Sequence, residues 1–199
     1  MGQVVSIFAT PLYVNKLQFG DDVVEYVDQL EYGNQIESYN SQSVQTDVLE
    51  HKELKGIRDT IEYCLSEYTG GVLRSNQTVS ITQSWCNKTK KGTNHRYHHH
   101  PNSIVSGVLF IKSSPNCPGI KFYRPSVLPF AFSYESGSNE YVNDNYSYQS
   151  EPGILLLFPS NVAHSVDTNS SDVDRISLSF NTFVNDSLGD PRSLTHVTT

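Results

Sequence analysis

The stretch "PGILLLFPSNVAHSVDTNSSDVDRISLSFN" (Pro152 to Asn181) decides the fold class of this chain. It holds three short β-rich runs, "GILLLFP", "VAHSV" and "RISLSF", separated by Pro, Asn, Ser and Asp, the residues that make turns. The first run is apolar throughout, as in a strand covered on both faces. The last alternates, with Arg175, Ser177 and Ser179 on one face and Ile176, Leu178 and Phe180 on the other. The turn cluster Asn169–Ser170–Ser171–Asp172 predicts a hairpin that returns Arg175 beside the strand of His164.

Working outward, the same character extends toward the N-terminus. "QTVSITQSWCN", "SIVSGVLFIK" and "GIKFYRP" are further short β-rich runs. Several in succession predict an antiparallel sandwich or barrel of the jelly-roll kind, not a parallel sheet. Before Asn76 the pattern is helical. "DDVVEYVDQLEY" has an acidic start and apolar residues at helical spacing. In "DVLEHKELKGIRDTIEYCLSEY", Leu49, Leu54, Ile57, Ile61, Cys64 and Leu65 form one stripe, and Gly70–Gly71 ends it. "VVSIFATPLYV" reads as a first strand broken at Pro11. Gly2 and Ser6 also fit the permissive myristoylation pattern, which is outweighed by the strand reading.

The expectation is therefore a mainly β chain with N-terminal helices (α+β), and one domain over 1–199. A helical support spans about 1–75, a β core about 76–185 and a flexible tail about 186–199. The polar, tyrosine-rich stretch Pro129–Pro152, with Tyr134, Tyr141, Tyr146 and Tyr148, is long enough to be a functional loop, and a lid over the site is one use for it.

Composition excludes some classes. A formal net charge of −7 disfavours a general nucleic-acid binder. No apolar run is long enough to span a membrane as a helix. Three cysteines without metal-like spacing, and no signal-peptide pattern at the N-terminus, fit a reducing cytoplasm. The Asn-x-Ser/Thr sequons follow from richness in those residues.

The chemistry concentrates in "RYHHHPNS" (Arg96 to Ser103). Strand alternation puts His98 and His100 on one face and His99 on the other. Two imidazoles on one face can share a metal, and His164 offers a third. His51, His95 and His196 read as bystanders. Arg175, with Ser177 two residues on, makes a receptor for a carboxylate, the guanidinium supplying a bidentate fork. A metal with three protein ligands and a carboxylate receptor nearby follows the logic of non-haem Fe(II) oxygenases.

At these residues a resemblance emerges. His98-x-His100-Pro101-x-Ser103, Ser106–Gly107–Val108, "GIKFYRP", "PGILLLFPSNVAHSV" and "DRISLSFN" together resemble the 2-oxoglutarate/Fe(II) oxygenase family found in bacteria and tailed phages, related to the prolyl-hydroxylase-like group. The resemblance covers roughly Val79 to Phe183 and the "IFATPLYV" opening. It implies a double-stranded β-helix, Fe(II), and 2-oxoglutarate as co-substrate, with its far carboxylate on Arg175 and Ser177. It implies a dioxygenase that releases succinate and CO2 and hydroxylates an unknown primary substrate with O2. Tyr123 and Asn87 are further candidates to hydrogen-bond the co-substrate.

The wider superfamily places an acid where His100 stands. Three ligand sets fit: His98, His100 and His164; His98 and His164 with water or an anion; or two histidines and a carboxylate from elsewhere. Alternation favours the first. Two rivals stand beside the oxygenase reading: a cupin-like metal enzyme without 2-oxoglutarate, and a non-catalytic module on the same fold.

Overall fold

The structure is a computed structural model that describes residues 3, 6, 8–33, 38–125 and 141–198. In chain order its elements are β1 (Tyr13–Lys16), α1 (Asp21–Asp28), β2 (Tyr32–Gly33), β3 (Ser41–Ser43), α2 (Lys55–Ser66), β4 (Val79–Thr89), β5 (His95–His98), β6 (Val105–Lys112), β7 (Ile120–Tyr123), β8 (Asn145–Tyr148), β9 (Ile154–Pro159), β10 (His164–Val166), β11 (Arg175–Val184), β12 (Ser187–Leu188) and β13 (Val197–Thr198).

Two antiparallel sheets face each other. The major sheet has seven strands in the order β1-β9-β6-β11-β4-β3-β2, and the minor sheet four, β5-β10-β7-β8. This is the double-stranded β-helix. The outer face of the major sheet carries α1 and α2. Between them lies a core built from Val27, Leu54 and Ile61 on the helical side, and from Leu155, Leu157, Leu178 and Phe180 on the sheet. The inner face closes on a second cluster, with Phe110, Leu156 and Phe158 against Ile120 and Phe122 of the minor sheet. Both faces of β6 and β9 are thus covered, and this is why "VSGVLFI" and "ILLLF" run apolar without alternation. Gly107 is needed on this sheet, since a Cβ there would stand 2.0 Å from the Phe180 ring.

Several expectations are corrected. The hairpin between His164 and Arg175 is not formed: β10 belongs to the minor sheet and β11 to the major sheet, between β4 and β6. The connection crosses from one sheet to the other. Asn169, fully buried, pins the crossing by donating from Nδ2 to the carbonyls of Thr89 (2.9 Å) and Val173 (3.0 Å). Arg175 therefore reaches the site from the opposite wall.

The expected helix from Asp47 is broken. Two short 3-10 turns, Val48–Glu50 and Lys52–Leu54, precede α2, because His51 between them has an extended backbone (φ −74°, ψ 139°). A π turn, Glu67–Val72, carries the chain past Gly70–Gly71. The N-terminal part is not only helical, since β1 pairs with β9, and β3 with β4. The segment expected as a tail holds the β12–β13 hairpin.

The first strand begins after Pro11, at Tyr13. Gly2 of the myristoylation pattern and residues 129–140 of the tyrosine-rich stretch lie outside the described residues, Tyr134 among them. The rest of that stretch contains β8, which pairs with β7. No helix among the described residues is long and apolar enough to cross a membrane.

Candidate metal and co-substrate site

His98 is the last residue of β5, and His164, the first of β10, stands directly opposite it in the antiparallel register. His99 and His100 have already left the strand. The loop that follows turns back at Asn102, in the left-handed region (φ 57°). A chain of hydroxyls holds it. Ser160 Oγ donates to Ser103 Oγ (2.7 Å) and lies 2.8 Å from Ser106 Oγ, which donates to Asn181 Oδ1 at 2.9 Å. The His100 amide donates to the Ser160 carbonyl at 3.0 Å. Residues 99–103 thus form a loop anchored to β6, to β11 and to Ser160 just after β9, and the anchoring aims His100 inward.

The outcome is a cluster. The ligand-capable nitrogens of His98, His100 and His164 all lie within 4.8 Å of one another. His100 Nε2 and His164 Nε2 are 3.3 Å apart. Two nitrogens on one metal at about 2.1 Å, near a right angle, lie about 3 Å apart, so the spacing suits a shared ion. Nδ1 of His98 sits 2.8 Å from the Arg96 carbonyl, and Nδ1 of His164 3.0 Å from that of Val162. Each carbonyl must receive the Nδ1 proton, which leaves the Nε2 lone pair for the centre. His99 is exposed and takes no part.

Burial, more than charge, keeps these rings neutral. It lowers His98, pushes His100 down to about 4 with help from His98 and His99, and pushes His164 down to about 3 with help from His98. A neutral imidazole is the metal-binding form. The metal-free protein carries a consequence. Unfolded histidines take up protons near pH 6.5 while the folded ones do not, so stability is full above that pH and falls as the pH drops toward 4. At pH 5, His100 and His164 should each cost roughly 2 kcal/mol. The urea midpoint of the metal-free chain should therefore be clearly lower at pH 5 than at pH 7.5, and equal midpoints would contradict the buried neutral cluster.

Behind the cluster is a cavity of about 20 Å³, lined among others by Trp85, His95, Arg175, Ser177 and Ser179. The inward face of β11 meets β4 in three rungs: Arg175 opposite Thr89, Ser177 opposite Asn87, and Ser179 opposite Trp85. Arg175 is 2% exposed. Its Nη1 donates to Ser177 Oγ at 3.4 Å, and its guanidinium lies 5.0 Å from the centre of the Phe110 ring. Its Nε has no partner among the described residues. Burial pulls its pKa down to about 10, so it stays charged at neutral pH. No carboxylate among the described residues pairs with it. A buried cation without a counter-ion is costly, and a bound anion would relieve that cost.

The other expected residues divide. Asn87 lines this cavity, but its amide is engaged: Oδ1 accepts from Asn40 (2.9 Å) and Gln42 (3.3 Å), and Nδ2 donates to Ser179 Oγ (3.0 Å). It braces the wall. Tyr123 is not brought to the Arg175 cavity. Its hydroxyl lies 2.9 Å from Ser165 Oγ, and its ring lines a separate groove of about 720 Å³ with Phe8, Leu12, Tyr141, Tyr146 and Phe158. That groove backs onto the histidines, since the Phe158 ring lies 5.0 Å from the His164 ring.

His95, read as a bystander, lines the cavity and stacks on His98 at 4.4 Å. It stands three positions before His98, an odd step, so alternation should turn it away. A bulge corrects the parity: His164 pairs with His98 and Val166 with His95, so two steps on β10 match three on β5. Trp85 is a wall residue of the cavity, and Ser179 lies on its Arg175 face. For Ser179 the alternation of "RISLSF" was signal enough.

Comparisons with known proteins agree with this geometry. Residues 83–181, from β4 into β11, match the family described as "Putative 2OG-Fe(II) oxygenase". No curated protein matches the chain. Among solved structures it is similar to a Pseudomonas putida prolyl-4-hydroxylase, with 15% identity, TM-score 0.58, and coverage of 86% of this chain and 92% of that one. A Trichoplax adhaerens prolyl hydroxylase in complex with a peptide fragment is 13% identical, with TM-score 0.61 and coverage of 86% and 83%. HygX from Streptomyces hygroscopicus, bound to nickel, 2-oxoglutarate and hygromycin B, is 13% identical, with TM-score 0.57 and coverage of 87% and 82%. At these identities the likeness is one of fold. Function class comes from the family match over the β core, and by that match the chain belongs to the 2OG-Fe(II) oxygenases, which use Fe(II), 2-oxoglutarate and O2.

Proposed function

We propose that His98, His100 and His164 hold the Fe(II), and that Arg175 with Ser177 holds the far carboxylate of 2-oxoglutarate. The observation that carries this reading is the Arg175 guanidinium, fully buried and without a counter-ion among the described residues, in the cavity that the three histidines also line. A metal enzyme that did not use a dianionic co-substrate would have no need of that cation. When bound, iron and 2-oxoglutarate would activate O2, whose four oxidising equivalents would go two to 2-oxoglutarate, released as succinate and CO2, and two to the primary substrate, which is hydroxylated.

The chain's own residues do the rest. The carbonyls of Arg96 and Val162 orient two of the imidazoles. The serine network fixes the loop of the third. Val108, Ile120 and Val166 wall the cavity with apolar surface, which keeps water from the reacting centre. The cavity has room for little more than a water, so the lining side chains must move apart as 2-oxoglutarate enters. Three neutral ligands leave the whole cationic charge on the metal, which favours a dianionic partner.

Calorimetry with an inert divalent ion tests this. With Ni(II) present, 2-oxoglutarate should bind at one equivalent per chain. Without metal its affinity should drop steeply, because only Arg175 and Ser177 remain to hold it. Binding that does not depend on the metal would place the anion site away from the histidines and defeat the reading.

A further inference from the structure

Among the described residues, six buried side-chain polar atoms lack a hydrogen-bond partner, and three of them cluster on two adjoining strands at this site. Arg175 Nε and Thr89 Oγ1 belong to the deep rung, where those residues face each other. The third is Trp85 Nε1, two rungs further along the two strands, opposite Ser179. Buried groups of this kind are rare in folded proteins, and three together mark a surface shaped for a partner.

An indole N–H can only donate, so its partner must be an acceptor. The Trp85 ring lies 5.8 Å from the His100 ring, which puts the indole at the histidine end of the cavity it lines. The guanidinium leans toward Ser177. From that rung to the Trp85 rung is two residues of strand, about 7 Å. A five-carbon dicarboxylate spans about 5 Å between its carboxyl carbons, as four C–C bonds of about 1.5 Å in a zigzag. One end on Arg175 therefore brings the other within hydrogen-bonding reach of Trp85.

We propose that Trp85 Nε1–H donates a hydrogen bond to the 2-oxo acid end of 2-oxoglutarate, so that β4 and β11 grip the co-substrate at both ends. The inference rests on the site reading above. It assigns Trp85 a binding role that neither the histidine motif nor the Arg175–Ser177 pair supplies. No bond is made or broken by the indole. It fixes which carboxyl oxygen faces the metal.

The test uses Zn(II)-loaded protein, since Zn(II) takes nitrogen and oxygen ligands and has no redox chemistry. Trp85→Phe keeps the aromatic wall and removes the donor. A hydrogen bond to a charged group is strong enough that calorimetry should show 2-oxoglutarate binding roughly ten- to a hundredfold weaker, with zinc content and melting temperature unchanged. Binding within twofold of the parent would overturn the proposal. A second readout needs no variant, because Trp85 is the single tryptophan. Its emission in the parent should shift as 2-oxoglutarate saturates the site, and a spectrum unchanged at saturation would overturn the proposal even if the variant did not fold. A parent that binds no 2-oxoglutarate at all defeats the site reading itself, a separate result.

Discussion

Arg175→Ala should weaken 2-oxoglutarate binding roughly 30- to 5,000-fold while leaving the metal in place. Truncating one partner of a desolvated, hydrogen-bonded charge pair costs ~2–5 kcal/mol, and each 1.4 kcal/mol is about a factor of ten. The upper part of the range is the more apt here. Arg175 is 2% exposed, and among the described residues no second cation lines the cavity to take over its role. Arg175→Lys should rescue poorly, because an ammonium cannot reproduce the planar fork. Ser177→Ala removes one neutral hydroxyl and should cost about tenfold or less. Calorimetry on metal-loaded protein checks all three. A ranking in which Ser177→Ala is the worst would put the anion elsewhere in the cavity.

The second large effect concerns the metal. His98→Ala, His100→Ala and His164→Ala should each lower metal affinity by more than about a hundredfold, since losing an outer hydrogen-bond partner alone costs ten- to a hundredfold. His99→Ala should leave it unchanged, its ring being exposed and outside the cluster. Equilibrium dialysis with Fe(II) under nitrogen measures this directly. Equal losses from all four variants would dissolve the distinction on which the site rests. Retention of full affinity by His100→Ala alone would instead favour a site of His98 and His164.

The parts of this molecule that were legible in its sequence are those where burial writes a pattern. β6 and β9 lie between the helices and the minor sheet, so their apolar runs announce strands with two covered faces. β11 has a core on one face and the cavity on the other, and its alternation places Arg175, Ser177 and Ser179 together. Other features leave no such mark. The bulge that turns His95 inward depends on the pairing of β5 with β10, which is not a property of either strand alone. The crossing between β10 and β11 has the composition of a hairpin, and only the burial of Asn169 distinguishes it. α2 looked longer than it is because the 3-10 turns before it bury Val48, Leu49 and Leu54 on the same side that a continuous helix would. β2, at two residues, is too short to carry any periodicity.

The candidate site shows the same division. The histidine motif and the arginine were readable because ligand chemistry demands those residue types. Asn87 pointed into the cavity as expected, yet its amide was already spent on Asn40, Gln42 and Ser179, which alternation cannot reveal. Tyr123, in "GIKFYRP", is a candidate for the cavity by sequence. The turn of β7 instead sends its ring to Tyr97, 4.9 Å away, and to the outer groove.

The central claim is that one cavity joins a three-histidine metal centre to the Arg175 carboxylate receptor. The most direct measurement is the visible absorption of Fe(II)-loaded protein as 2-oxoglutarate is added under nitrogen, since a 2-oxo acid chelated to Fe(II) gives a charge-transfer band. The parent should develop that band and saturate at one equivalent per chain. Arg175→Ala, carrying the same amount of iron, should show almost none at the same concentration. A parent without the band, or an Arg175→Ala protein that titrates like the parent, would contradict the account.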